Sequence, residues 1–182
     1  MIQVPFPLIV AVVLPLWVFL RIHKAQHTPR FNGYRELLVT MFFIYGCALF
    51  VATMRPFLFQ LPTLGPRSTL FFDFKLFEEL RNMAEGYEMY QLLYSVGNVV
   101  MLIPFGLLLP LLFPFARHFL VTVLLGFSLS LTIEMTQMLF TVTRKGTVDD
   151  LVFNTIGALI GYVLFQIIGY KAVPKEKEKR KR

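Results

Sequence analysis

The chain has 182 residues, 56% of them hydrophobic and 20 of them Phe, and its mean hydropathy is +0.64. Such a composition excludes an ordinary soluble domain and predicts a membrane protein. The net charge of +7 does not indicate nucleic-acid binding, because seven of the 18 Lys and Arg residues lie in the terminal stretch "KAVPKEKEKRKR". Cys47 is the only cysteine of the sequence, so no disulfide framework is expected.

Five apolar segments approach the roughly 20 residues that a helix needs to cross the hydrocarbon core. They predict an all-α fold, a polytopic transmembrane helical bundle of about five spans. The first segment carries three prolines, and no Lys or Arg precedes it, so we interpret it as a retained span and not as a signal peptide. The segments are residues 4–20, 36–54, 91–113, 119–140 and 150–169.

The distribution of Lys and Arg between the connecting loops predicts the orientation. Twelve of these residues lie on one side, in loop 21–36, in loop 114–118 and in the tail. Six lie on the other side, in loop 55–90 and in the connection before the fifth span. Because cytoplasmic loops carry the excess of Lys and Arg, the N-terminus is expected outside and the C-terminus in the cytoplasm. The sequence therefore predicts a multi-pass protein of the cell membrane.

The outer loop 55–90 contains a second apolar pattern. In "LFFDFKLFEELRNM", residues 70–83, apolar side chains recur at helical spacing. The pattern predicts an amphipathic helix, which either lies in the outer membrane interface or covers the mouth of the bundle. Periodicity leaves both alternatives open.

Polar residues gather at similar depths in the last three spans. Asn98, Glu134, Gln137 and Asn154 lie about 5–10 Å from the outer ends of their helices, at 1.5 Å per residue. An unpaired charge in hydrocarbon costs at least about 2.5–3.5 kcal/mol on insertion scales, so such residues indicate function or strong pairing. The set predicts an outward-facing polar pocket, with a purely structural clasp between helices as the alternative. The expected ligand-binding residues are Asn98, Glu134, Gln137, Arg144, Asp149, Asp150 and Asn154.

Small residues and prolines predict where these helices pack. Gly157 and Gly161 form a G-x-x-x-G pattern on the helix face that also carries Asp150 and Asn154. This face is therefore expected to lie against a neighbouring backbone. In the third span, proline and glycine are expected to bend the helix near the middle of the membrane. The predicted packing residues are Pro104, Gly106, Gly157 and Gly161.

The order of these motifs resembles the VanZ-like family of bacterial membrane proteins. The resemblance rests on "NVVMLIPFG" at 98–106, "EMTQ" at 134–137, Arg144 and "DDLVFNTIGALIG" at 149–161, and it spans about residues 91–168. Thr147 stands where members often have an acidic residue, which weakens any carry-over of a metal site. The resemblance implies a polytopic cytoplasmic-membrane protein in a family named for low-level resistance to the glycopeptide teicoplanin. It divides the chain into two N-terminal spans with an outer loop (1–90), a VanZ-like three-helix region (91–169) and a basic cytoplasmic tail (170–182).

Three functions are compatible with this sequence. The first is a non-catalytic envelope protein whose outward-facing pocket affects susceptibility to glycopeptides and lipoglycopeptides. The second is a membrane enzyme acting on a lipid or a lipid-linked cell-wall precursor, with Glu134 or Asp150 as the catalytic acid or base and Arg144 as an anion anchor. The third is a transporter or an accessory subunit. The expected partners are membrane lipids, a lipid-linked precursor or lipoglycopeptide, and a second copy of the chain; neither a cofactor nor a metal is predicted.

Overall fold

The computed structural model describes residues 2–3, 6–27, 32–54, 58–59, 72–74, 76–77, 88–140 and 146–169. Five long helices account for most of this part of the chain. A short 3-10 helix, Pro114–Arg117, precedes the fourth helix, and a π-helical turn, Phe165–Gly169, follows the fifth. The helices are α1 (Phe6–His27), α2 (Gly33–Met54), α3 (Glu88–Leu112), α4 (Phe119–Phe140) and α5 (Val148–Leu164). The two-residue strands are β1 (Ile2–Gln3), β2 (Leu58–Phe59), β3 (Phe72–Asp73) and β4 (Gly146–Thr147).

The all-α prediction is confirmed. In the described part of the chain, four helices are long and apolar enough to cross a membrane, and these are α2, α3, α4 and α5, the last continued by its π-helical turn. Helix α1 occupies the first predicted segment, and its crossing of the membrane stays a prediction, as does the orientation of the bundle.

The chain divides into two compact units. The first comprises Met1–Asp73 and Ile133–Gly146, and thus contains α1, α2 and the last turns of α4. The second comprises Phe74–Thr132 and Thr147–Arg182, and thus contains α3, most of α4 and α5. The division into residues 1–90, 91–169 and 170–182 stays a prediction.

In the first unit, aromatic and charged side chains join α1 to α2. The rings of Trp17 and Phe43 stack at a centroid distance of 4.0 Å. The guanidinium of Arg21 lies 5.3 Å from the Trp17 ring centroid and pairs with the carboxylate of Glu36. Lys24 Nζ lies 3.8 Å from the same carboxylate. Strand β1 pairs antiparallel with β2.

In the second unit, α5 lies against the backbone of α3. A Cβ atom built at Gly157 would overlap the carbonyl oxygen of Val99, and one at Gly161 would overlap that of Ile103. From the other side, a Cβ at Gly106 would overlap the carbonyl oxygen of Ala158. Only glycine allows helices to approach this closely, because any side chain would hold the backbones apart. Helix α3 continues through both of its internal prolines, Pro104 and Pro110.

The expected helix in residues 70–83 is wrong for the described part of that stretch. Phe72 and Asp73 are extended, and Leu76 and Phe77 form a turn. Phe77 has a φ of 62°, which an α-helix does not contain. The physical reason is a tertiary contact, since the backbone N–H of Phe77 donates to a carboxylate of α5 instead of to a helical carbonyl. The rest of the stretch lies outside the described residues.

Candidate functional site

Asn98 and Asp150 join the two helices that pack most closely in the second unit. Asn98 Nδ2 of α3 donates a hydrogen bond to Asp150 Oδ1 in the first turn of α5. Thr147 is the N-cap of α5, and its hydroxyl oxygen accepts from the backbone N–H of Asp150 at 3.2 Å. A carboxylate in the first turn is favourable, because the N-terminus of a helix carries partial positive charge. The cap and the helix dipole therefore stabilise the first turn of α5, which carries Asp150.

Asp149 is a buried carboxylate with only one oxygen bonded. Its side chain is 1% exposed, and its Oδ1 accepts the backbone N–H of Phe77 at 2.6 Å. Within the described chain, Asp149 Oδ2 is buried without a hydrogen-bond partner. Most buried polar atoms in proteins are bonded, so this oxygen is an acceptor that remains available.

Asn154 lies one turn after Asp150 and is fully buried. Its Nδ2 donates to the hydroxyl oxygen of Ser130 on α4 at 3.0 Å. Its Oδ1 has no hydrogen-bond partner among the described residues. Asn154 thus ties α5 to α4 with one of its two polar atoms and leaves the other available.

In the first unit, Gln137 caps the end of α2. Its Nε2 donates to the backbone oxygen of Thr53 at 2.8 Å. Thr53 belongs to the last turn of α2, where carbonyl groups have no partner within the helix. Glu134 precedes Gln137 by three residues, as expected for one helix face, and is 1% exposed. The burial of both side chains follows from this shared face.

The structure distributes the predicted site residues between the two units. Asn98, Asp149, Asp150 and Asn154 lie in the second unit, around the N-terminal part of α5. Glu134 and Gln137 lie in the first, so their convergence with the other group stays a prediction. Arg144 lies outside the described residues, so its predicted anchoring role also stays a prediction.

Four residues that bond to the predicted ones are not among the residues predicted from the sequence. Ser130 was detectable, because it precedes Glu134 by one helical turn and so shares its buried face. Thr147 was detectable as a cap, since Thr147-x-x-Asp150 matches the spacing of a capping box. Thr53 and Phe77 contribute backbone atoms, which no side-chain pattern reveals.

The chemistry of the second-unit group is that of acceptors and amides. The group comprises two carboxylates that are consecutive in sequence and two carboxamides, and an ionised carboxylate can only accept hydrogen bonds. Within the described residues, no three His, Cys, Asp or Glu side chains form a group that could hold a metal ion. The described atoms are therefore suited to binding a hydrogen-bond donor. We call Asn98, Asp149, Asp150 and Asn154 the α5 polar site.

Comparison with known proteins identifies the family. The VanZ/LLP1 family model matches residues 42–169, which extends from α2 to the end of the π-helical turn. The match includes all of residues 91–168, on which the resemblance was based, and also most of the second predicted span. The chain matches no curated protein and no solved structure with significant similarity. Since the family model covers well over half of the chain, and the described residues form four apolar helices of membrane-spanning length, the chain belongs to the VanZ/LLP1 family and is a membrane protein of the VanZ type.

Proposed function

We propose that the protein is a non-catalytic protein of the cell envelope that binds the polar part of an amphiphile at the α5 polar site. By doing so it lowers the access of lipid-anchored glycopeptides to their targets at the outer leaflet. The observation that carries the proposal is the buried carboxylate of Asp149, one oxygen of which has no hydrogen-bond partner in the described chain.

The energetics of burial favour a binding role over a purely structural clasp. A clasp is expected to satisfy its own polar atoms, because an unsatisfied buried acceptor costs about 1–3 kcal/mol. Among the described residues, Asp149 and Asn154 each bond through one polar atom and have a second one without a partner. A ligand or an ordered water that supplied donors would remove this penalty.

The predicted orientation places the site at the correct face of the membrane. With the N-terminus outside, the N-terminal part of α5 lies in the outer half of the bilayer. Lipid headgroups and lipid-anchored drugs reach this region without crossing the hydrocarbon. An outward-facing polar site therefore fits a role in envelope lipid interactions and in drug susceptibility.

Among the described residues, the hydroxyl group closest in sequence to Asp149 and Asp150 supports a non-catalytic role. Thr147 is the hydroxyl residue that begins α5, and its oxygen accepts the N–H of Asp150 as the helix cap. A nucleophile needs a base within hydrogen-bond reach and an exposed lone pair. Thr147 is 3% exposed, so its geometry is that of a cap.

A drug-susceptibility panel tests the proposal. A susceptible bacterium would express the wild type, Asp149→Asn, Asp150→Asn or Glu134→Gln at matched membrane abundance. The wild type should raise the inhibitory concentration of teicoplanin more than that of vancomycin, and Asp149→Asn and Asp150→Asn should reduce this difference. Ser95→Ala is the control, because the Ser95 hydroxyl bonds only to its own helix, at Gln91 O, among the contacts described.

Two results would contradict the proposal. Equal effects on both drugs would argue against recognition of a lipid-anchored glycopeptide. Unchanged phenotypes of Asp149→Asn and Asp150→Asn would indicate that the two carboxylates have a structural role. Membrane lipid mass spectra that differ between wild type and Glu134→Gln would instead favour the enzymatic alternative.

A further inference from the structure

We propose that the α5 polar site takes a primary ammonium group, with Asp149 as its acceptor, and that the ligand is an amphiphile whose apolar part lies on the side chains of Phe74 and of the turn at Leu76 and Phe77. This inference rests on the proposed function, because it names the class of headgroup that the same site binds. It is carried by the bonding of Asp149 and by the exposed side chains of the turn.

The bonding of Asp149 specifies a cationic donor. Its Oδ1 is occupied by the Phe77 N–H, so Oδ2 is the acceptor that remains. A water molecule could donate to Oδ2, but it would leave the carboxylate without a cationic partner among the described residues. A cation offsets the unfavourable burial of a charged carboxylate, which a neutral donor does only in part. A cation that also donates a hydrogen bond satisfies both requirements.

An ammonium group fits better than a bare metal ion. A metal such as Ca²⁺ requires six to eight oxygen ligands, and Mg²⁺ requires an octahedral set. Within the described chain, no cluster of three acidic, His or Cys side chains is available to provide them. An ammonium group brings a positive charge and three N–H donors, one of which can bond to Asp149 Oδ2.

The turn next to Asp149 supplies an apolar surface for the rest of the ligand. Phe74 is 78% exposed, Leu76 is 49% exposed and Phe77 is 45% exposed. The turn is held at the carboxylate, because the N–H of Phe77 is the group bonded to Asp149. The Phe77 ring also lies 6.4 Å from the ring of Phe153 on α5. A buried acceptor beside exposed apolar side chains matches a molecule with a charged head and an apolar body.

The backbone of Phe77 indicates that this arrangement is imposed by the fold. Its φ of 62° lies in the left-handed region, which is unfavourable for a residue with a Cβ. Strained conformations persist where the surroundings overdetermine them, and they concentrate at ligand sites. Here the strained residue directs its N–H to one oxygen of Asp149 and leaves the other oxygen for a ligand.

A comparison of two short-chain lipids tests the inference on the purified full-length chain in a nonionic detergent. Dihexanoyl phosphatidylethanolamine carries a primary ammonium, whereas dihexanoyl phosphatidylcholine carries the same phosphate and chains with a quaternary ammonium that cannot donate an N–H bond. Titration by native mass spectrometry should show at least about tenfold tighter binding of phosphatidylethanolamine, as expected for a charge-assisted hydrogen bond.

Two variants assign the preference to Asp149. Asp149→Asn keeps the shape and an oxygen for Phe77 but removes the charge, so it should bind both lipids equally weakly. Glu36→Gln is the control, because it makes the same change of charge in the first unit and should keep the tenfold preference. A third measurement with teicoplanin as the competitor identifies the source of the ligand: displacement of phosphatidylethanolamine shows that the drug uses the same site.

Two results of the lipid titration would overturn the inference. Equal affinity of the wild type for the two lipids overturns it, and so does a preference that survives in Asp149→Asn. If Asp149→Asn does not fold, the wild type is titrated with mono-, di- and trimethylated ethanolamine lipids instead. Its affinity should fall sharply at the trimethylated member, which has no N–H donor. Since no drug is needed for the lipid titration, a failure here leaves the susceptibility panel as an independent test of the proposed function.

Discussion

Asn98 of α3 and Asp150 of α5 are hydrogen-bonded across 52 positions of sequence. The bond links two helices whose backbones meet through glycine, and it forms next to the N-cap of α5. Side-chain hydrogen bonds between membrane helices stabilise them by about 0.6 kcal/mol on average, and bonds to a charged group contribute more. The pair is thus both a candidate ligand contact and a structural link.

Asn98→Ala should lower the free energy of unfolding by about 1 kcal/mol, because it removes a donor to a carboxylate. Denaturant titration of the purified protein in detergent measures the change. A double-mutant cycle with Asp150→Ala should give a coupling energy of about 0.5 kcal/mol or more. Ser95→Ala on the same helix is the control and should change stability little. A coupling energy of zero would show that the bond does not contribute to stability.

Gly157→Ala should be strongly destabilising, because the new Cβ would overlap the carbonyl oxygen of Val99. Overpacking of this kind typically costs about 1–3 kcal/mol, because the backbone of α3 cannot move far enough to make room for the new Cβ. Gly97→Ala on α3 is the matched control, since no atom lies within 4 Å of its added Cβ. The control should be neutral or slightly stabilising, as alanine favours a helix over glycine. Equal effects of the two substitutions would contradict the close approach of α3 and α5.

Ser130→Ala should destabilise the second unit by about 1–2 kcal/mol, because it leaves the buried Nδ2 of Asn154 without its acceptor. Ser128→Ala serves as the control, since the exposed Ser128 hydroxyl bonds to Leu124 O of its own helix. Thermal unfolding followed by circular dichroism compares the two. If both variants unfolded at the wild-type temperature, the Asn154–Ser130 bond would not be a stabilising contact between α4 and α5.

Thr147→Val should weaken α5 at its N-terminus by about 1 kcal/mol, because valine has the same shape but cannot accept the N–H of Asp150. Thr147→Ser should preserve the cap and the stability. Thr155→Val is a second control, as its hydroxyl bonds to Leu151 O within the helix interior. Hydrogen exchange at the amides of Asp149 and Asp150 would locate the effect, and unchanged exchange there would argue against the cap.

The orientation of the chain can be tested by fusions. A fluorescent protein joined after Arg182 should be fluorescent, because the tail is predicted to lie in the cytoplasm. Alkaline phosphatase joined at the same residue should be inactive, whereas phosphatase inserted within residues 61–69 should be active. The opposite pattern would place the α5 polar site on the cytoplasmic side and would contradict the proposed access from the outer leaflet.

Helix existence and helix limits could be read from the sequence because they depend on local composition. Segment 119–140 was predicted and Phe119–Phe140 is observed, while segment 91–113 corresponds to Glu88–Leu112. The length of an apolar run limits a helix in a membrane, and loops rich in charge and proline end it. The burial of Gln137 and Glu134 was likewise predictable, since residues three apart share a face.

The stretch 70–83 shows where local pattern fails. Its apolar spacing is that of a helix, yet Phe72–Asp73 is extended and Phe77 has a left-handed φ. A contact with Asp149, 72 positions away in sequence, competes with local helix formation. Periodicity contains no information about such a contact, because it counts only neighbours along the chain.

The sequence by itself determined that this is an all-α membrane protein whose last helices carry polar residues, because apolar length and helical spacing are local properties. Only the tertiary structure decided which atoms those residues use. It joined Asn98 to Asp150 and Asn154 to Ser130, and it directed a backbone N–H to one oxygen of Asp149. The physical reason is that hydrogen bonding in a bundle depends on which helix faces meet, and that choice is made by the packing of glycines such as Gly157 against a neighbouring backbone.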